Sequence, residues 1–166
     1  SSNEVRINYK AGGTSALAVF TDAIENDGLW HHIVGTWDVS GDEVKIYLDG
    51  TLKQTTNSLG TFVGTPAYAS IGSSGVGSSY YTGSIDEVSL FNVELTASQV
   101  TNLYNDGLPY TVAADTGLIG WWRMGDGGIT GNPIAIFPTI PDDSSNSNNG
   151  EMTNMTSTDF QADVPE

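Results

Sequence analysis

Residues 29–50 read LWHHIVGTWDVSGDEVKIYLDG. WHHIVGTW, residues 30–37, predicts a strand. Gly41-Asp42 then turns the chain into a second strand, Val44–Leu48. Asp49-Gly50 is a two-residue hairpin signal of the type I′ kind, because both central positions of that turn need positive φ. Thr51–Thr56 should therefore return antiparallel to Val44–Leu48. Two strands, a tight turn and a third strand within thirty residues point to an antiparallel sheet.

The same grammar extends in both directions. Val5, Ile7 and Tyr9 alternate with Arg6 and Asn8 and are followed by Gly12-Gly13, which predicts a half-buried strand and a turn. Ala16–Phe20, Tyr68–Ile71, Gly83–Phe91, Leu118–Met124 and Glu151–Met155 predict further short strands. Asp22–Gly28 and Gly72–Ser79 read as loops, and Pro109–Thr116 as a linker. Leu95–Tyr104 is the one helix candidate. Thr96 is placed to cap it, Gln99 completes a capping box, and Asn105-Asp106-Gly107 stops it. Short strands joined by Gly, Asn and Asp turns indicate an all-β antiparallel β-sandwich.

Composition narrows the function classes. The 166 residues carry 20 acids against 5 Lys and Arg, a net charge of -15, which argues against nucleic-acid binding and against docking to an anionic membrane. No apolar run is long enough for a membrane helix. No cysteine is present, which removes disulfides, thiolate nucleophiles and Cys-ligated metals. The 16 aromatic residues (4 Trp, 7 Tyr, 5 Phe) distinguish the chain from an ordinary disordered acidic segment. Ser1-Ser2-Asn3-Glu4 shows no secretion signal, and an opening so close to a strand reads as the middle of something longer.

Three segments carry a family resemblance: residues 29–50 above, residues 80–104 (YYTGSIDEVSLFNVELTASQVTNLY), and residues 117–150, with GLIGWWRMGDG at one end and DDSSNSNNG at the other. They resemble the laminin-G-like group of the concanavalin A-like lectin/glucanase fold, a jelly roll. In that group the third type of segment opens the module, whereas here it follows the closing helix. The resemblance therefore implies a circularly permuted module, or the second half of one module (1–108) followed after the 109–116 linker by the opening strands of the next (117–166). A sheet edge filled by a neighbouring subunit is the third solution. If permuted, Leu118–Met124 should lie beside Val88–Leu90. WWRMGDG and TNMTSTDFQADVP, residues 121–127 and 153–165, are similar to virion proteins of marine bacteriophages: tail, fibre or decoration proteins.

Candidate site residues follow. A glycosidase needs two facing carboxyl groups roughly 5 to 10 Å apart. Asp86-Glu87 are adjacent and so face opposite sides of a strand, while Asp42-Glu43 and Asp142-Asp143 lie in turns or loops. No catalytic residue is assigned. His31 and His32 are adjacent, cannot chelate one ion together, and read as a strand-entry pair with one ring at the core edge and one toward solvent. The resemblance implies Ca²⁺ as the cofactor, on Asp86, Asp143 and Asp142, with Asp126 joining. Sugar binding needs an exposed aromatic beside Asp or Asn, for which Tyr80 and Tyr81 are the best candidates and Trp30 a weaker one. Trp37, Trp121 and Phe91 are assigned to the core. Trp122 is either an interface residue, with Met124, or lies under a loop.

These readings favour a non-enzymatic virion or appendage module, assembling as a homo-oligomer or with other virion subunits, in an extracellular or virion setting. The alternative is a calcium-dependent carbohydrate-binding adhesin or binding module that takes surface glycans. A glycoside hydrolase comes last.

Overall fold

A computed structural model describes residues 4–22, 24, 27–61, 69–73, 79–108, 110–112, 115–124 and 139–153. Every strand pairing in it is antiparallel, with one short helix: the fold is all-β. The described residues fall into two compact units, one drawn from 1–63 and 93–110, the other from 64–92 and 111–164.

The first unit holds β1 (Glu4–Ala11), β2 (Thr14–Thr21), β3 (Ile33–Asp38), β4 (Glu43–Leu48), β5 (Thr51–Asn57) and α1 (Ala97–Tyr104). β1 and β2 form a hairpin, and β3-β4-β5 form a three-stranded sheet. The hairpin packs on the sheet. Ala16 and Ala18 of β2 meet Val44 and Ile46 of β4 in a closed core, flanked by Val5, Ile7, Tyr9, Phe20 and Leu59. Two apolar layers of strands thus exclude water between them. Fully burying a side chain such as Val44 or Ile46 contributes about 1.5–3 kcal/mol. Gln54 Oε1 accepts the Val19 N–H at 2.7 Å, tying β2 to β5 across the layers.

Gly35 of β3 sits where a Cβ would lie 2.7 Å from Ile7 Cδ1, so its missing side chain admits β1 to the sheet. Asp49-Gly50 makes the expected turn, with φ of 49° and 72° and Leu48 paired to Thr51. α1 lies against this turn. Thr101 Oγ1 donates to the Gly50 carbonyl at 3.3 Å, and a Cβ on Gly50 would meet Tyr104 at 3.2 Å. The helix begins as the sequence predicts: Thr96 Oγ1 accepts the Gln99 N–H, and Gln99 Oε1 accepts the Thr96 N–H. Asn105 ends it in the left-handed conformation, and Val100 buries its apolar side. On the sheet face carrying Thr36 and Lys45, Glu94 accepts from both, at 3.4 and 3.0 Å. Two carboxylates, Glu43 and Glu94, hold the Lys45 ammonium well above its ordinary range.

The second unit holds β6 (Val88–Phe91), β7 (Leu118–Trp122), β8 (Thr139–Ile140) and β9 (Gly150–Glu151). β6 pairs with β7, Val88 opposite Trp122 and Ser89 opposite Trp121, and β8 pairs with β9. The segment that stood out of order in the sequence thus lies beside Val88–Leu90 within one chain. In the stretch expected as a linker, Val112 is buried and its carbonyl accepts the Asp115 N–H at 2.8 Å.

Several local expectations change. β3 starts at Ile33 rather than Trp30, because the His32 N–H donates to the Asp49 carboxylate and not to a neighbouring strand. β6 starts at Val88 rather than Gly83, because Glu87, at φ 50°, breaks the extended run. Residues 69–72 form no strand. Ser73 makes a single bridge to Tyr80, and Tyr68 is outside the described residues. Among the described residues the last strand is Gly150–Glu151, and Asn154 and Met155 of the expected strand lie outside them. Trp37 is 44% exposed rather than core, since β3 is an edge of its sheet; its ring lies 6.4 Å from that of Tyr9. Trp121 is buried as expected.

Candidate functional site

Two exposed aromatic residues are adjacent in the chain of the second unit. Tyr80 is 55% and Tyr81 61% exposed. Their backbone is fixed rather than loose: Tyr80 bridges to Ser73, and the Tyr81 N–H donates to the Gly72 carbonyl at 2.7 Å. The Tyr81 ring rests against Gly83, where a Cβ would come within 2.9 Å of it. Rigid, exposed tyrosines present apolar faces and hydroxyl tips at low ordering cost. Trp30, 36% exposed, belongs to the other unit and precedes β3.

The acidic candidates of the second unit hold its loops. Asp142 is 8% exposed. Its Oδ1 accepts the N–H of Trp121 at 2.7 Å and of Ser144 at 2.9 Å. Its Oδ2 accepts the Ser144 hydroxyl at 2.9 Å and the Asn148 N–H at 2.7 Å. Burial raises the cost of ionising it, but these four donors outweigh that and hold its carboxyl below the usual carboxylate range. Around it, Asn146 and Asn148 donate their amides to the carbonyls of Leu118 and Ile119, at 3.2 and 2.6 Å. The Asp143 N–H donates to the Trp121 carbonyl at 2.8 Å. The Trp122 indole N–H reaches the Asn148 carbonyl at 3.0 Å, so its ring lies with the 142–149 loop. Met124 is half-buried, at φ 46°.

Asp86 accepts the Glu87 N–H at 2.9 Å, and its other oxygen is shielded from solvent. The sequence weighs the neighbouring Glu87 only as half of a carboxylate pair. Its left-handed backbone accompanies a carboxylate that meets β7, where it accepts the Trp121 indole N–H at 2.7 Å and pairs with Arg123 at 3.1 Å. The Arg123 guanidinium also lies 5.2 Å from the Trp121 ring centre. An acid followed across the sheet by Trp-x-Arg is the signal that marks this cluster in retrospect.

Calcium needs six to eight oxygens converging on one point. Among the described residues no three His, Asp or Glu side chains gather as a metal site requires. The oxygens of Asp142 already face four N–H and O–H donors, and Asp126 lies outside the described residues. No calcium-binding geometry is evident among the described residues.

A family profile described as the concanavalin A-like lectin/glucanases superfamily, the Laminin_G_3 family, matches residues 1–101. The chain belongs to that superfamily. No curated protein and no solved structure matches it. The matched span of this concanavalin A-like chain includes the β1–β5 sandwich, Tyr80-Tyr81 and most of α1. No helix among the described residues is long and apolar enough to cross a membrane.

The two histidines sit at the edge of the first unit. His31 bridges two carboxylates, Nδ1 to Asp49 and Nε2 to Asp27, each at 2.9 Å. His32 stacks on Tyr104 with ring centres 6.1 Å apart, and burial pushes its pKa down. The sequence pattern places one ring inward and one outward. It carries no sign that the outer ring joins a loop acid to a turn acid.

Proposed function

We propose that this chain is a non-catalytic carbohydrate-binding module whose contact surface is Tyr80 and Tyr81. The observation that carries the reading is the pair of exposed tyrosines on a backbone fixed by Gly72 and Ser73, in a member of a lectin/glucanase superfamily. The apolar face of a sugar ring stacks on an aromatic ring, while the phenol hydroxyls exchange hydrogen bonds with sugar hydroxyls. The engaged acids of the same unit support binding rather than hydrolysis. Glu87 is engaged by Trp121 and Arg123 and Asp142 by four donors, which leaves neither poised as a proton donor or nucleophile across a glycosidic bond.

The setting we propose is extracellular or on a particle surface, where a homo-oligomer multiplies weak single-site binding. That part rests on the resemblance of residues 121–127 to virion proteins and not on the matched family. Affinity electrophoresis through neutral polysaccharides tests the module. Wild type is retarded by at least one of them, and Tyr81→Ala loses about tenfold in affinity, the equivalent of about 1.4 kcal/mol. Equal retardation of wild type and a Tyr80→Ala/Tyr81→Ala double variant overturns the assignment.

A further inference from the structure

His31 has two ring nitrogens, and each meets a carboxylate oxygen at 2.9 Å: Nδ1 meets Asp49 and Nε2 meets Asp27. A neutral imidazole has one N–H, so it can donate to only one of them; only the imidazolium donates to both. We propose that His31 is a proton-operated clasp, which in its charged form ties residues 27–30, Trp30 included, to the β4–β5 turn through Asp27.

The two halves of the clasp are built differently. On the Asp49 side, the same carboxylate accepts the His32 N–H at 2.9 Å, and the Asp49 N–H donates to the His32 carbonyl at 2.9 Å. That turn is also covered by α1. On the Asp27 side the carboxylate's further bond is local, from the Leu29 N–H at 2.9 Å. When His31 loses its proton, Nδ1–H stays on Asp49. Nε2 then turns a lone pair toward the Asp27 carboxylate, and that contact opens. Leu29 and Trp30, both exposed, are the apolar side chains this segment carries.

The titratable groups facing His31 are Asp27 from its own segment and Asp49 from the β4–β5 turn. His32 and Tyr104 of α1 form the stacked pair beside it. The hydrogen bonds to Asp27 and then Asp49 raise the His31 pKa above the ordinary histidine value, against a smaller opposing effect of burial. His32 is shifted the other way and stays neutral in that window. The clasp's contribution is therefore complete below the unfolded histidine pKa and is lost as pH rises through the higher folded value.

The test is NMR on the full chain. Imidazole nitrogen shifts report the His31 charge, and backbone order parameters report residues 28–30. In wild type the order parameters hold near about 0.85 with His31 charged and fall below about 0.6 once it is neutral. Asp27→Asn separates charge from contact. The carboxamide it introduces keeps an oxygen for the Leu29 N–H and offers an N–H to neutral His31 Nε2, so the segment stays ordered where His31 is neutral and loosens in acid, where the charged ring's Nε2–H meets that amide donor. Order in wild type that is unchanged through the His31 titration overturns the clasp. So does an Asp27→Asn chain that loses order at the same pH as wild type.

Discussion

Asp142→Asn exchanges one oxygen for an amide nitrogen and tests what the most heavily bonded acid of the second unit is for. The remaining carboxamide oxygen retains the N–H groups of Trp121 and Ser144, now in neutral rather than charge-assisted bonds. The new amide nitrogen faces the Asn148 N–H, donor against donor, where the wild-type carboxylate accepts at 2.7 Å. Losing a bond to a charged group costs about 1.5–3 kcal/mol, and weakening the others adds about 1 kcal/mol. The expected destabilisation is therefore about 3 kcal/mol. With a urea m-value of about 2 kcal/mol/M, the midpoint falls by about 1.5 M. Urea unfolding read at the Trp121 and Trp122 indole N–H signals localises the effect to the loop and β7. The pH dependence has a defined sign. The folded pKa of Asp142 lies below its ordinary 3.8, so its stabilisation is present above that value and is lost as pH falls through the folded one. The variant should thus converge with wild type in acid. A midpoint shift under about 0.5 M at neutral pH, or an equal deficit where the wild-type carboxyl is protonated, refutes the hub assignment.

Gly35→Ala drives a methyl into Ile7 and should cost about 1–3 kcal/mol by thermal denaturation, with Ile7→Val in the same chain recovering part of it. Thr96→Ala removes the α1 cap and should cost about 1 kcal/mol, measured by urea unfolding. Because no calcium-binding geometry is evident among the described residues, a chelator should leave the melting temperature within about 1 °C of the untreated chain. A drop of several degrees, restored by Ca²⁺, would contradict this.

The first unit was legible because its signals are local and agree with one another. Asp49-Gly50 marks a turn, Val44–Leu48 a strand, and Thr96 with Gln99 a helix start, and each appears as expected. Strand ends were not legible, since side chains decide them. The Asp49 carboxylate takes the His32 N–H and delays β3, and Glu87 adopts a left-handed backbone that delays β6. Alternation assigns Trp37 to the core, but alternation reports a face and not whether the strand is an edge. The pairing of β6 with β7 follows from the resemblance, although 26 residues separate Phe91 from Leu118 and no local pattern carries it. Of the acidic candidates, sequence named Asp142 for an ion, and the structure surrounds it with N–H and O–H donors. A carboxylate before Ser-Ser-Asn reads the same either way until its partners are placed.

Where a glycan touches the chain is the most direct measure of the binding assignment. Titrating the isotope-labelled chain with a neutral oligosaccharide taken from the polysaccharide that retards it reports this residue by residue. A tyrosine platform predicts shifts concentrated at Tyr80, Tyr81, Gly72, Ser73 and Gly83, abolished in the double tyrosine variant. Saturable shifts centred elsewhere, with Tyr80 and Tyr81 unmoved, would contradict it.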